Sequence, residues 1–330
     1  MSAFGGSGSR STALRAGLIS SDSTAPLCGA QKGAGAYAPG MRTKVVVPAL
    51  LGLVVAIAGV TLGLGAWRWR AGTAALRARI ESGRVASAPR VPADAELASL
   101  PPAVERYLRA VLPAGRPIIA AASFVQRGEM NMADAEGNAA ASWKPFTSTQ
   151  RVVVRRPGFD WDARIQVAPG MQAFVHDAYA LGEGALEARL FGLFRLADQR
   201  GTPEAAQGEL LRFLAETAWY PTALVPGQGV RWQALDPTSA RATLVDGATT
   251  ATLDVRFGAD GLIDTVTAAA RSRTVGQGSV ATPWQGRFWN YSERHGVLVP
   301  LEGEVAWLLP SGPWPYWRGR LETVDYEFAP

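Results

Sequence analysis

Few side chains in this sequence are of the types that carry chemistry. The 330 residues contain two histidines, His176 and His295, and one cysteine, Cys28, which is too little for a His-rich zinc or iron site or a thiolate cluster. Asp160 and Asp162 stand two apart in an alternating segment and so share a strand face, the kind of carboxylate pair that glycoside hydrolysis uses. Arg164 continues that face, and a solvated polar surface is the simpler reading. His176 and Asp177 are neighbours in a β-prone run, so their side chains point to opposite faces and do not pair with each other. No serine sits in a Gly-x-Ser-x-Gly elbow, and the Gly5–Ser9 run lacks the strand and lysine of a phosphate loop. Glu209, Arg212 and Glu216 lie three and four residues apart on one helix face. They read as solvated pairs worth less than about 1 kcal/mol or, if buried, as an ion cluster facing a cavity.

Tryptophan is the unusual element. Nine of the eleven lie between Trp143 and Trp317, each bringing a large apolar area and one N–H donor. Their simplest use is core, and some are suited to lining an apolar groove left by an incompletely closed sheet over a helix. The candidate ligand-binding residues are Trp143, Phe146, Trp161, Arg212, Glu216, Trp232 and Trp284. No catalytic residue, metal site or cofactor is assigned.

The elements that must position these residues follow from periodicity. Pro101-Pro102 followed by Val104, Tyr107, Leu108 and Val111 marks a helix start and one apolar stripe. From Ile118 the period becomes twofold. The clearest strand is Phe159 to Val167, with Phe159, Trp161, Ala163, Ile165 and Val167 on one face and Asp160, Asp162, Arg164 and Gln166 on the other. A helix runs from Thr202-Pro203 through Leu210, Leu211, Phe213 and Leu214 to Tyr220-Pro221. Strands return over 229–235, 240–245, 250–257, 262–270, 286–291, 297–307 and 318–328, with Asp246-Gly247 and Asp260-Gly261 at hairpin joins. Many short strands around one main helix predict an α+β fold with an antiparallel sheet.

One segment belongs to a different solvent. Val45 to Trp67 holds 23 uncharged residues, about 34 Å as a helix and enough to cross a bilayer core. Arg42 and Lys44 flank it on one side and Trp67, Arg68, Trp69 and Arg70 on the other. Its length and the tryptophans favour a retained anchor over a cleaved signal peptide, and Gly59 and Gly63 have the spacing of a close helix–helix approach. Residues 1–40 are Gly-, Ser- and Ala-rich without apolar periodicity, so a disordered tail is expected there, and Met41 reads as an alternative start. The expected organisation is tail 1–40, anchor 45–67, juxtamembrane helix and linker 68–98, and one β-rich domain over 99–330. The formal net charge of +5 is arginine-borne, with lysine only at 32, 44 and 144. After residue 90 acidic residues intersperse the arginines, so no basic stripe for nucleic acid is formed.

Several residue groups in order carry a resemblance. They are Leu100-Pro101-Pro102 with Tyr107-Leu108, Gly128-Glu129-Met130, Trp143-x-Pro145-Phe146 with Gln150, Pro157-Gly158-Phe159-x-Trp161, Gly208-Glu209-Leu210 with Arg212-Phe213 and Glu216, Trp219-x-Pro221, Trp232, Pro283-Trp284, Pro300 and Trp307. Over about residues 99–330 they resemble a family of bacterial membrane-anchored proteins of unknown function, which implies no catalytic residue. More loosely, the strand-rich order with one internal helix is similar to the half-barrel of lipoprotein carriers of the LolA type. That resemblance implies a curved, half-barrel-like sheet with a concave apolar face for acyl chains, in the periplasm.

The expected protein is therefore anchored in a bilayer through 45–67, with its C-terminal domain on the extracytoplasmic side. It would bind a hydrophobic ligand, lipid or lipidated partner without catalysis. Two alternatives stand beside it: an anchored hydrolase using Asp160, Asp162 or His176, and a structural interaction module with a filled interior. Oligomeric state and ligand identity are not readable at this level.

Overall fold

The computed structural model describes residues 40–86, 90–135, 140–276 and 278–329. The expectations for residues 1–39 lie outside it. Two compact units divide the chain, one ending at Gly63 and one running on from Leu64.

In the first unit the described part is the opening half of helix α1 (Gly40–Ser82). From Val47 onward its apolar side chains are exposed, Val60 at 73%. By length and composition the helix is long and apolar enough to cross a membrane.

The second unit begins within α1, ahead of the 99–330 bounds expected from the sequence. It contains α2 (Asp94–Ala98), α3 (Pro102–Val111), α4 (Pro203–Ala215) and a single antiparallel sheet. The first six strands are β1 (Ile119–Asn131), β2 (Trp143–Val153), β3 (Gly158–Ala168), β4 (Met171–Ala180), β5 (Glu183–Leu190) and β6 (Phe194–Arg200). After α4 and three short 3-10 turns come β7 (Arg231–Asp236), β8 (Ser239–Asp246), β9 (Thr249–Phe257), β10 (Ile263–Val275), β11 (Gly278–Arg294), β12 (Val297–Leu309) and β13 (Gly312–Phe328). The sheet order is β6-β5-β4-β3-β2-β1-β13-β12-β11-β10-β9-β8-β7. Two meanders thus meet where β1 pairs with β13. The fold is α+β, as the periodicity predicts.

The sheet is strongly curved. Tyr179 on β4 donates to Asp246 Oδ2 on β8 at 2.9 Å, and Gln199 on β6 donates to Thr274 Oγ1 on β10 at 2.9 Å. Each pair lies nine strand positions apart in the sheet, about 43 Å in a flat sheet at roughly 4.8 Å per strand. Only a sheet curled until its wings meet brings them into contact. Helix α4 lies between the wings, packed on β5 and β4 of one and on β9 and β10 of the other. Thr202 caps it by accepting from the Ala205 N–H at 3.1 Å, and Pro203 occupies its first turn. Gly184 lets α4 approach β5, since a Cβ there would stand 2.2 Å from the Ala205 carbonyl oxygen. The apolar stripe of α3 is buried as its spacing predicts, with Val104, Tyr107 and Leu108 fully covered.

The polar face of β3 is a correction to the sequence reading. Asp160 is fully buried and Asp162 largely covered, because the second half of α1 lies across the outer face of β3 and β4. Alternation along β3 identified the two faces, but solvent covers neither.

Candidate functional site

Inside the curl lies a cavity of about 840 Å³. Its walls come from β1, β3 to β6, α4, the turn after α4, and β10 to β13; the aromatic part is Trp161, Trp219, Trp284, Trp307, Tyr316 and Trp317. Three of the five indole donors are occupied at the cavity edge: Trp161 donates to Gln126 Oε1 at 2.9 Å, Trp219 to the Pro300 carbonyl at 3.0 Å and Trp284 to the Tyr316 hydroxyl at 2.8 Å. With these N–H groups engaged, their rings present apolar faces to the interior.

A charged cluster forms one side of the cavity. Arg212 donates to Asp177 on β4 and, through Nε, to Glu216 Oε1 at 2.7 Å. Gln150 Nε2 donates to the other Glu216 oxygen. The Arg212 guanidinium also sits 5.0 and 5.1 Å from the ring centres of Phe159 and Trp161. Arg271 on β10 lies 3.5 Å from Glu209 Oε1 and donates to the Tyr316 hydroxyl at 3.2 Å. Burial, and the Asp177 carboxylate beside it, push the Glu209 carboxyl well above the usual carboxylate range. The Arg212 guanidinium is held firmly charged: burial opposes this, but Glu216, Asp177 and Glu209 outweigh it. Of the two sequence readings of the Glu209–Arg212–Glu216 face, the buried ion cluster is the one found.

The candidate residues distribute unevenly. Trp161, Arg212, Glu216 and Trp284 line the cavity together. Phe146 stands outside it, packed at 5.5 Å on Trp161 and 5.8 Å on Trp317. Trp143 lies under the Arg318 guanidinium at 4.4 Å. Trp232 donates to the Leu224 carbonyl at 2.9 Å, away from the cavity. Asp177 and Arg271 were not among the candidates. The first was legible in part, since strand alternation already puts it opposite His176. The second was not: strand alternation from the buried Val266 and Ala268 would turn Arg271 outward, and a register shift between Ala268 and Arg271 turns it in.

A second polar constellation lies on the outer face, under α1. Trp69 stacks on His176 with ring centres 4.0 Å apart and donates to Asp162 Oδ1 at 2.9 Å. The Thr73 hydroxyl is 2.9 Å from Asp162 Oδ2 and 2.8 Å from His176 Nε2. Arg77 Nε donates to Asp160 Oδ2 at 2.8 Å. Asp160, Asp162 and His176 do converge, as the hydrolase alternative requires, but Trp69, Thr73 and Arg77 take up their polar atoms, and of the three only His176 borders a cavity, one of about 370 Å³ beside the helix. The arrangement docks a helix. Gly65 permits it, because a Cβ there would stand 2.6 Å from the Phe191 carbonyl oxygen. Among the described residues no group of three His, Cys, Asp or Glu side chains is placed to hold a metal ion.

A family model matches residues 98–326, the greater part of the chain and nearly all of the sheet. The chain belongs to the Family of unknown function (DUF6920). Among curated proteins no sequence matches. Of solved structures, the chain is similar to a LolA superfamily protein of Nitrosomonas europaea at 12% identity and a TM-score of 0.35, covering 73% of this chain and 96% of that one. It is also similar to a beta-barrel-like protein of another domain of unknown function from Brucella abortus, at 13% identity and a TM-score of 0.18, over 64% of this chain and 100% of that one.

Proposed function

We propose that this protein is anchored in the cell membrane through residues 45–67 and holds a hydrophobic ligand, a lipid or the acyl chain of a lipidated partner, inside its curled sheet without transforming it. The observation that carries the reading is the tryptophan-walled cavity. Its volume of about 840 Å³ falls in the range of sites that enclose small ligands, roughly 300–1,000 Å³. A structural module would fill its interior, and a hydrolase would leave its carboxylates and histidine open to substrate. The open interior supports binding over a filled module, and the contacts of Trp69, Thr73 and Arg77 with Asp160, Asp162 and His176 support it over hydrolysis.

The side of the membrane is part of the proposal. Arg68, Arg70, Arg77 and Arg79 outnumber Arg42 and Lys44, which by charge alone favours a cytoplasmic sheet. Arg77 and Arg79 have another use, since they pair with Asp160 and Glu183. Discounting them leaves the flanks even, and the short basic segment ahead of the apolar helix, which fits an export signal-anchor, is what supports our proposal of the extracytoplasmic side. The test of the binding reading is native mass spectrometry of the full chain taken from its membranes, where a lipid-sized mass bound at one per chain is expected and a bare chain that takes up no added lipid contradicts it.

A further inference from the structure

The cavity is acidic in a basic protein. Its lining carries six acidic and four basic side chains, a net −2, while the whole chain has a formal net charge of +5. The imbalance reaches the deepest part. There Asp177, Glu209 and Glu216 face Arg212 and Arg271, three carboxylates against two guanidinium groups. Two carboxylate oxygens in this group, Asp177 Oδ1 and Glu209 Oε2, are buried and receive no donor from any other described residue; the two carboxyls stand close enough to hydrogen-bond to each other only through a shared proton. Asp177 is 6% and Glu209 7% exposed.

A buried acceptor without a donor is costly, as is a buried uncompensated charge. A ligand cation with N–H groups would correct both at once. Arg212 and Arg271 reach only the other oxygens of these carboxylates, Asp177 Oδ2 and Glu209 Oε1. The rings of Trp219 and Trp317, 6.4 Å apart between centres, also border the cavity. Their faces suit a cation.

We infer that the ligand is an amphiphile whose head is a single ammonium-type cation, seated on Glu209 and Asp177 with its apolar body against the tryptophans. This rests on the proposed binding of a hydrophobic ligand in the same cavity. With no ligand, burial and the Asp177 carboxylate favour a proton on Glu209, the direction in which its carboxyl is pushed. The charged and titratable groups around that carboxyl are Asp177 from β4, Arg212 from its own helix, Glu216 beyond it, Arg271 from β10 and Tyr316 from β13.

The test is calorimetric titration of the full chain in lipid nanodiscs with octylammonium, octanol and octyl sulfate, with empty nanodiscs subtracted. Octylammonium should bind at least about tenfold more tightly than the other two, and Glu209→Gln should reduce it to the octanol level while octanol binding is retained. That retained binding shows the variant's cavity is intact. Equal binding of all three probes, tightest binding of the sulfate, or an ammonium preference that survives in Glu209→Gln overturns the cationic head and leaves the hydrophobic cavity standing. No binding of any probe to the wild-type chain overturns the cavity reading itself, and this inference with it.

Discussion

The dipeptide His176-Asp177 divides between two sites. Asp177 turns inward to Arg212, and His176 turns outward to Thr73 and Trp69. Burial pulls His176 from its ordinary 6.5 down to about 4, and Asp162, 3.9 Å away, opposes this without offsetting it. The unfolded chain therefore binds more protons than the folded one between those values. The stabilising contribution of His176 is complete above about pH 6.5 and is lost as the pH falls toward 4. Asp160 runs the other way. Burial pushes it up to about 6 from 3.8, against the hydrogen bond and charge of Arg77, so its contribution is present at low pH and lost as the pH rises through about 6. His176→Asn should thus shrink the loss of stability between pH 6.5 and 4, and Asp160→Asn should steepen it, read from unfolding midpoints across that range. Equal slopes in wild type and both variants would show that neither group titrates on folding.

At the scale of elements, α4 separates the wings of the sheet and supplies the charged side of the cavity. Gly208 sits on its cavity-lining face, where an added Cβ would meet only Arg271 Nε at 3.7 Å. Gly208→Leu should fill part of the cavity while gaining roughly 0.5–1 kcal/mol of helix propensity. The expected outcome is lost ligand binding at an unchanged or raised unfolding temperature; lowered stability would mean the site was already filled. Much at this scale was legible in the sequence. The stripe of α3, the Thr202-Pro203 start of α4, the alternation of β3 and the hairpin at Gly247, with its φ of 58°, all follow from local pattern. What was not legible depends on contacts between distant residues. Covering the polar face of β3 takes Trp69, Thr73 and Arg77, 83 to 103 residues from their partners. Turning Arg271 inward takes a register shift that no alternation shows. The candidate tryptophans divided for the same reason: residue type marks Trp143 and Trp232 as readily as Trp161 and Trp284, and only the curl of the sheet separates them.

For the whole molecule, one chain combines an exposed apolar helix with a sheet curled until its wings touch. The curl creates the interior, and the aromatic residues leave part of it open. The extracytoplasmic placement predicts that an alkaline phosphatase fused to the C-terminus is active in cells, and an inactive fusion would put the sheet in the cytoplasm. The central claim, that the interior holds a hydrophobic ligand, is tested most directly by native mass spectrometry of the full chain and of Gly208→Leu, taken side by side from the same membranes. The account predicts one bound lipid-sized mass on the wild-type chain and none on the variant. A bare wild-type chain, or an adduct equally retained by the variant, would contradict it.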